Sequence, residues 1–200
     1  MNILFDYRFR LSLFSGVCIG FSFPPFFGFL SLFGIIPLIK LWKFSNIRDS
    51  AQYSYFAGLV ANIISLYWIG LNSGAELLPV LASLIAAVLY LSIFWALLGI
   101  SSCYLLKKIK YGLYLIPFAW VSMEFIRSYG PLAFSWSNLT LTQSNFLPIL
   151  QIMDVTGSEG VTFWVVFVNV FLFLIIQQRK INYYKDPFLV ILIFIPLFFG

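Results

Sequence analysis

Histidine is absent from this 200-residue chain, cysteine occurs twice, and only 10% of the residues are Asp, Glu, Lys or Arg. Without His, and with so few thiols, a Cys/His zinc site is excluded, since such sites take about three or four of these ligands at short spacing. We therefore expect no metal and no cofactor. Cys18 and Cys103 both lie in or beside apolar runs, near opposite ends of a membrane crossing, so no disulfide between them is expected. The scarcity of charge excludes more. Soluble domains are about 25% charged and about 45–50% apolar, whereas this chain is 62% hydrophobic. A globule of this size has no interior large enough for that surface. Disorder is excluded too, because 24 Phe, 11 Tyr and 6 Trp are the opposite of a disordered composition. The solvent of this chain is lipid.

The formal charge of +5 does not imply nucleic acid, because the basic residues are spread between apolar runs and form no continuous basic stretch. A spanning helix needs about 20 mostly apolar residues. Apolar runs occur at 11–23, 26–41, 52–71, 77–106, 111–125, 161–177 and 187–200. They predict an all-α, polytopic integral membrane helix bundle of six to seven transmembrane segments, forming a single domain over 1–200. The first two runs meet at Pro24-Pro25 and are read either as two tilted spans or as a re-entrant hairpin. Arg8, Arg10, Lys40, Lys43, Arg48, Lys107, Lys108, Lys110, Arg179, Lys180 and Lys185 then fall on one side, and Arg127 alone on the other. This is the positive-inside pattern, which predicts a cytoplasmic N-terminus. Arg8 and Arg10 could open a signal peptide, but no small-x-small cleavage site follows the first apolar run, so it is expected to stay in the membrane.

The one long connection, 127–160, is predicted to lie outside. It mixes Gly, Pro, Ser, Thr and Asn with Phe134, Trp136 and Phe146, and reads as a non-helical segment along the bilayer surface. It is either a substrate-contacting loop or a linker with interfacial anchors. Glu124 and Arg127 precede it, three residues apart on one helical face. A carboxylate near a membrane boundary needs a partner, so the two are expected to pair, as part of a site or as a structural ion pair. Asn62, Ser65 and Asn169 lie within spans, where such groups bond neighbouring helices. Cys103 and Lys107 stand four apart, but no carboxylate or oxyanion stabiliser accompanies them, and no catalytic residue is assigned.

The order of motifs resembles the membrane domain of the bacterial apolipoprotein N-acyltransferase family along nearly the whole chain. Phe23-Pro24-Pro25-Phe26 is similar to the family's Phe-Pro-Pro turn, which the Pro37-Leu38 pair follows, and Phe56-Ala57-Gly58 with Tyr67-Trp68-Ile69 to its third span and exit. Glu124, Arg127, Phe134, Trp136, Leu139 and Gln143 follow the family pattern E-x-x-R…F-P-W-x-x-L-G-Y-S-Q. Pro148, Gln151, Asp154, Gly157, Gly160-Val161, Phe163 and Asn169 match the run into the sixth span. The chain differs at Ser128, Ser135 and Thr140-Leu141-Thr142, where the family has Gly, Pro and Gly-Tyr-Ser. The resemblance implies a bacterial inner-membrane protein that meets phospholipid and diacylglyceryl lipoproteins. It marks Trp68, Glu124, Arg127, Trp136 and Gln143 as candidate loop or lipid-cavity residues. In the family an extracytoplasmic nitrilase-like domain with a Glu-Lys-Cys triad performs acyl transfer. No counterpart of it occurs in these residues, so this chain alone is expected to be inactive, with a separate catalytic chain as one way to supply the chemistry. The rival readings are a small transporter or channel subunit and a ligand-free structural subunit.

Overall fold

A computed structural model describes residues 6–72, 74 and 76–178. The apolar run 187–200, with Arg179, Lys180 and Lys185, lies outside the described residues. Within them the chain is helical and has no strand. Asp6 starts α1 (Tyr7–Gly20) by accepting the Arg8 backbone N–H at 3.0 Å. A turn containing a cis Pro24–Pro25 bond and a 3₁₀ segment (Gly28–Leu30) leads into α2 (Ser31–Gly34) and α3 (Ile36–Phe44). Asn46 caps α4 (Ile47–Ser65) through the Asp49 N–H at 2.7 Å. The predicted third span ends sooner than its apolar run, giving way to a 3₁₀ segment, Tyr67–Leu71. Next come α5 (Leu77–Lys108), a 3₁₀ segment (Gly112–Leu115) and α6 (Ile116–Arg127), which has Pro117 in its first turn, where no N–H is needed.

The connection after α6 is not the continuous non-helical strip that its composition suggests. It contains a 3₁₀ segment (Leu139–Gln143) and a single turn, α7 (Leu147–Leu150), before α8 (Met153–Gln178) begins. Gly157, at φ 69°, separates the first turn of α8 from the rest. Only glycine takes that conformation without strain, so it redirects the chain into the bundle.

The helices alternate in direction. Arg8 meets Asp49 at one end of the α1/α4 pair, while Gly20 meets Ala61 and Ile64 at the other, so these two run parallel. A Cβ on Gly16 would stand 2.7 Å from the Ala57 carbonyl oxygen, and the missing side chain is what lets the backbones approach this closely. Gly58 packs on Trp95 and Gly99 on Ser54, which sets α5 antiparallel to α4. α3 lies in the middle, touching α1, α4, α5 and α8, with Leu38, Ile39, Leu41 and Trp42 fully buried. The Phe-Pro-Pro turn reaches the level of the 3₁₀ segment after α4, where the Phe26 and Tyr67 rings are 6.1 Å apart.

Two polar side chains join helices as expected. Asn62 Nδ2 donates to Ser92 Oγ at 3.2 Å, linking α4 to α5. Asn169 accepts the Ile35 N–H at 2.9 Å and donates to the Ser31 carbonyl at 2.8 Å. Those two groups stand four residues apart and would bond each other in an unbroken helix. The carboxamide thus stands in for the hydrogen bond lost at the α2–α3 break.

The exterior supports a lipid environment. Along α5, Leu78, Leu81, Ile85, Leu89, Ile93, Leu97 and Ile100 recur every three or four residues, and all are exposed. α5, at 32 residues, is about 48 Å long at 1.5 Å per residue. Among the described residues, α5 and 153–177 are each long and apolar enough to cross a membrane. The remaining helices are shorter or, like α4, carry charges in their first turns.

Candidate functional site

Helix α6 carries Glu124 and Arg127 to the end of the bundle from which the 128–152 connection departs. Both are buried, at 4% and 1% exposure. They do not form the expected ion pair: among the described residues the salt bridges are those of Arg8 with Asp6 and with Asp49. Three residues of separation places two side chains on one face, but the carboxylate turns inward toward better donors. Its Oε1 accepts from the Trp120 indole at 3.0 Å and from the Leu139 backbone N–H at 2.9 Å. Its Oε2 accepts from Thr162 Oγ1 of α8 at 2.8 Å. Arg127 instead donates from Nη2 to Asn138 Oδ1 at 2.6 Å, and its own carbonyl accepts the Phe134 N–H at 3.1 Å. Both residues therefore grip the connection, from two sides.

The grip extends to the 3₁₀ segment. Thr140 Oγ1 lies 3.0 Å from Thr162 Oγ1 and donates to the Ser158 carbonyl at 2.5 Å. Gln143, buried, donates to Ser31 Oγ at 2.8 Å and to the Gly28 carbonyl at 3.2 Å. Thr142 also reaches Ser31 Oγ, at 3.0 Å. A Cβ on Gly28 would collide with the Thr142 carbonyl, so only glycine admits the loop here. The segment around 139–143 is accordingly a plug held within the bundle, not a strip lying over it. Beneath it Asn62, Ser65, Trp95, Glu124, Arg127 and Ser137 border a small space of about 10 Å³, the size of one water. Arg127 Nε and Ser137 Oγ, both fully buried at its border, have no hydrogen-bond partner.

Trp68 and Trp136 remain outside. They come from the two segments that rim this end, with ring centroids 5.2 Å apart, and are 42% and 61% exposed. Phe134 packs on Trp136 at 5.8 Å. Of the five residues singled out from the sequence, Trp68 and Trp136 thus share an exposed patch, while Glu124, Arg127 and Gln143 form the buried anchor beneath it. Sequence reasoning missed Trp120, Asn138 and Thr162. Trp120 is readable in hindsight, four residues before Glu124 on the same helical face; nothing local marks Thr162.

Chemically, what this arrangement does is position the loop. A carboxylate holding three donors away from water is a fixed post. Cys103 lies at the opposite end, fully buried, its thiol 3.6 Å from the Ser45 carbonyl that also accepts from Lys107 at 2.5 Å. The lysine thus serves a backbone oxygen and not the sulfur. Cys18 and Cys103 are free thiols, and among the described residues no group of His, Cys, Asp and Glu is arranged to hold a metal.

The family model for the apolipoprotein N-acyltransferase N-terminal domain matches residues 15–171, which include every element of this anchor. Apolipoprotein N-acyltransferase of Geobacter metallireducens is 31% identical over 176 residues, covering 84% of this chain and 33% of the relative. Apolipoprotein N-acyltransferase 1 of Treponema denticola is 26% identical over 211 aligned positions, covering 99% of this chain and 37% of the relative. The Chlorobaculum tepidum enzyme of the same name is 26% identical across 90% of this chain. The chain spans about a third of the length of these curated relatives. With a helical bundle, an apolar exterior and this match across most of its length, the chain belongs to the apolipoprotein N-acyltransferase N-terminal domain family.

Proposed function

We propose that this domain is the lipid-facing membrane part of an N-acyltransferase system, anchoring and supplying lipid to a catalytic domain and performing no bond chemistry itself. Its substrates-in-transit are a membrane phospholipid, as acyl donor, and a diacylglyceryl lipoprotein, as acceptor. The catalytic domain is nitrilase-like, on the same polypeptide or on a separate chain. The basic end of the bundle faces the cytoplasm of the bacterial inner membrane, and the Trp68–Trp136 rim faces the outer leaflet.

The observation that carries this reading is the pinned loop. Glu124 and Gln143 fix the plug by backbone and side-chain bonds from three helices, and this holds an aromatic pair rigidly at the end of the bundle. Tryptophans at the headgroup level bind acyl–headgroup boundaries with one apolar face and one polar edge. A transporter reading is less well supported, because Asn62, in the last turn of α4, and Asn169, within α8, are engaged in interhelical bonds.

The test is complementation. In cells lacking their own N-acyltransferase, this domain is expressed with a nitrilase-like domain, and lipoprotein N-termini are assayed by mass spectrometry. Trp68→Ala/Trp136→Ala should lower N-acylation by at least about tenfold, with thermal stability unchanged. Full acylation by that variant would sink the role of the rim. Residues 1–200 alone, incubated with radiolabelled phospholipid, should form no covalent acyl adduct. A labelled band lost in Cys103→Ala would overturn the assignment of chemistry elsewhere.

A further inference from the structure

The opposite end of the bundle carries a second feature. The α5–α6 turn, the end of α3 and the last turn of α8 enclose an open groove of about 430 Å³. Lys43 and Lys110 border it, with Tyr111 and Tyr114, while Leu106 and Leu174 form part of its wall. Among the described residues no acidic residue lines it. Lys43 Nζ donates to Gln177 Oε1 at 2.9 Å and sits 5.8 Å from the Phe173 ring, which leaves two ammonium protons for a ligand. Lys110 Nζ lies 5.4 Å from the Tyr111 ring. Neither cation is neutralised among the described residues, because Asp6 and Asp49 at this same end are both held by Arg8. Lys107, by contrast, is engaged by the Ser45 carbonyl, and Lys40 stands over the Tyr7 ring, 5.1 Å away.

We propose that this groove binds an anionic glycerophospholipid, with the headgroup phosphate at Lys43 and Lys110 and acyl chain against the Leu106 and Leu174 wall. Two cations with no acid beside them suit a negative headgroup, and a basic pocket between membrane helices is a recurrent headgroup site. The apolar wall beside the cations selects a lipid over a free phosphate. Tyrosines at the mouth suit the headgroup level of a bilayer. The site would tie this end of the bundle to one leaflet, far from the Trp68–Trp136 rim. It rests on the reading that this end meets the membrane surface, and on no part of the acyl-transfer chemistry.

The experiment uses the full chain in nanodiscs and compares spin-labelled phosphatidylglycerol with spin-labelled phosphatidylcholine. We expect wild type to prefer the anionic probe by about tenfold. Lys43→Gln/Lys110→Gln should abolish the preference, while Lys40→Gln/Lys108→Gln, with the same loss of charge at the same end, should retain it. Equal losses in the two double variants, or no preference in wild type, would overturn the site in favour of diffuse surface charge. Displacement of the lipid by millimolar inorganic phosphate would also overturn it, by assigning the cations to a soluble anion. Thiol labelling of Lys108→Cys and Asn145→Cys in intact cells, read alongside, reports orientation separately. Outside labelling at position 108 would refute the cytoplasmic assignment of this end while leaving the lipid preference to stand or fall by itself.

Discussion

Replacing Glu124 by alanine removes the post that holds the plug, and the size of the effect follows from its three bonds. Thr162 keeps Thr140 Oγ1 at 3.0 Å when the carboxylate is gone. The Trp120 indole and the Leu139 amide have no such second partner, and each buried donor left unsatisfied costs about 1–3 kcal/mol. Glutamine behaves differently. Its carbonyl oxygen can still accept from Trp120 and Leu139, and its NH₂ can meet Thr162, whose hydroxyl is free to rotate and accept. Both substitutions remove the carboxylate near Arg127, but alanine alone also leaves its buried volume empty, so the difference between them reports the hydrogen bonds together with that cavity. The two orphaned donors by themselves contribute about 2–6 kcal/mol to it, which sets the lower bound of the difference at about 2 kcal/mol. The assay places a cysteine at Leu139, which is 1% exposed, and measures its rate of maleimide labelling in detergent. With about 1.4 kcal/mol per tenfold, Glu124→Ala should label at least roughly 25 times faster than Glu124→Gln. Equal rates in the two backgrounds would refute the idea that the carboxylate fixes the loop by accepting hydrogen bonds.

Three further outcomes follow from other contacts. Asn169→Leu keeps the volume but strips the Ile35 N–H and Ser31 carbonyl of their carboxamide, and should lower stability in a detergent unfolding titration by about 2–4 kcal/mol; an unchanged midpoint would show that the α2–α3 break satisfies itself. Gly16→Ala forces the α1 and α4 backbones apart against the Ala57 carbonyl, and should cost about 1–3 kcal/mol, with a lowered melting temperature as the readout. At the N-terminus, the Tyr53 hydroxyl, at 2.5 Å, and then the Arg8 backbone N–H hold the Asp6 carboxyl below the usual aspartate range. A depressed folded value means that the contribution is complete above the unfolded value, near about 4, and disappears as pH falls through the folded one. Amide protection at the start of α1, taken relative to the intrinsic exchange rate at each pH, should therefore fall only under acid, and Asp6→Asn should remove that pH dependence.

Much of this protein can be read from the order of its residues, for reasons that are local. Apolar density is a one-dimensional property, so the lipid solvent and the positions of α5 and the body of α8 are visible without tertiary information. Pro24-Pro25 marks the turn between the first two apolar runs because each proline restricts its own backbone. The gathering of basic residues at one end also follows, because alternating passes must return Lys40, Lys43, Lys107 and Lys110 to the side of Arg8.

What the order of residues did not decide is who bonds to whom. Three positions of separation put Glu124 and Arg127 on one face and suggested a pair, yet the carboxylate is claimed by donors 15 and 38 residues away. Which donors reach a buried acceptor depends on how α6 and α8 pack, and no local pattern carries that. The connection after Arg127, rich in Ser, Thr and Asn, reads as a segment lying along the bilayer surface. In the folded chain Thr140 and Thr142 are buried, their hydroxyls bonded to the carbonyls of Ser158 and Leu139, so polar composition and solvent exposure part company. The break at Ile35 falls inside the apolar run read as 26–41, and its remedy, Asn169, lies 134 residues beyond Ile35. A broken backbone bond is a local event, whereas the group that satisfies it is chosen by whichever helix the bundle brings alongside.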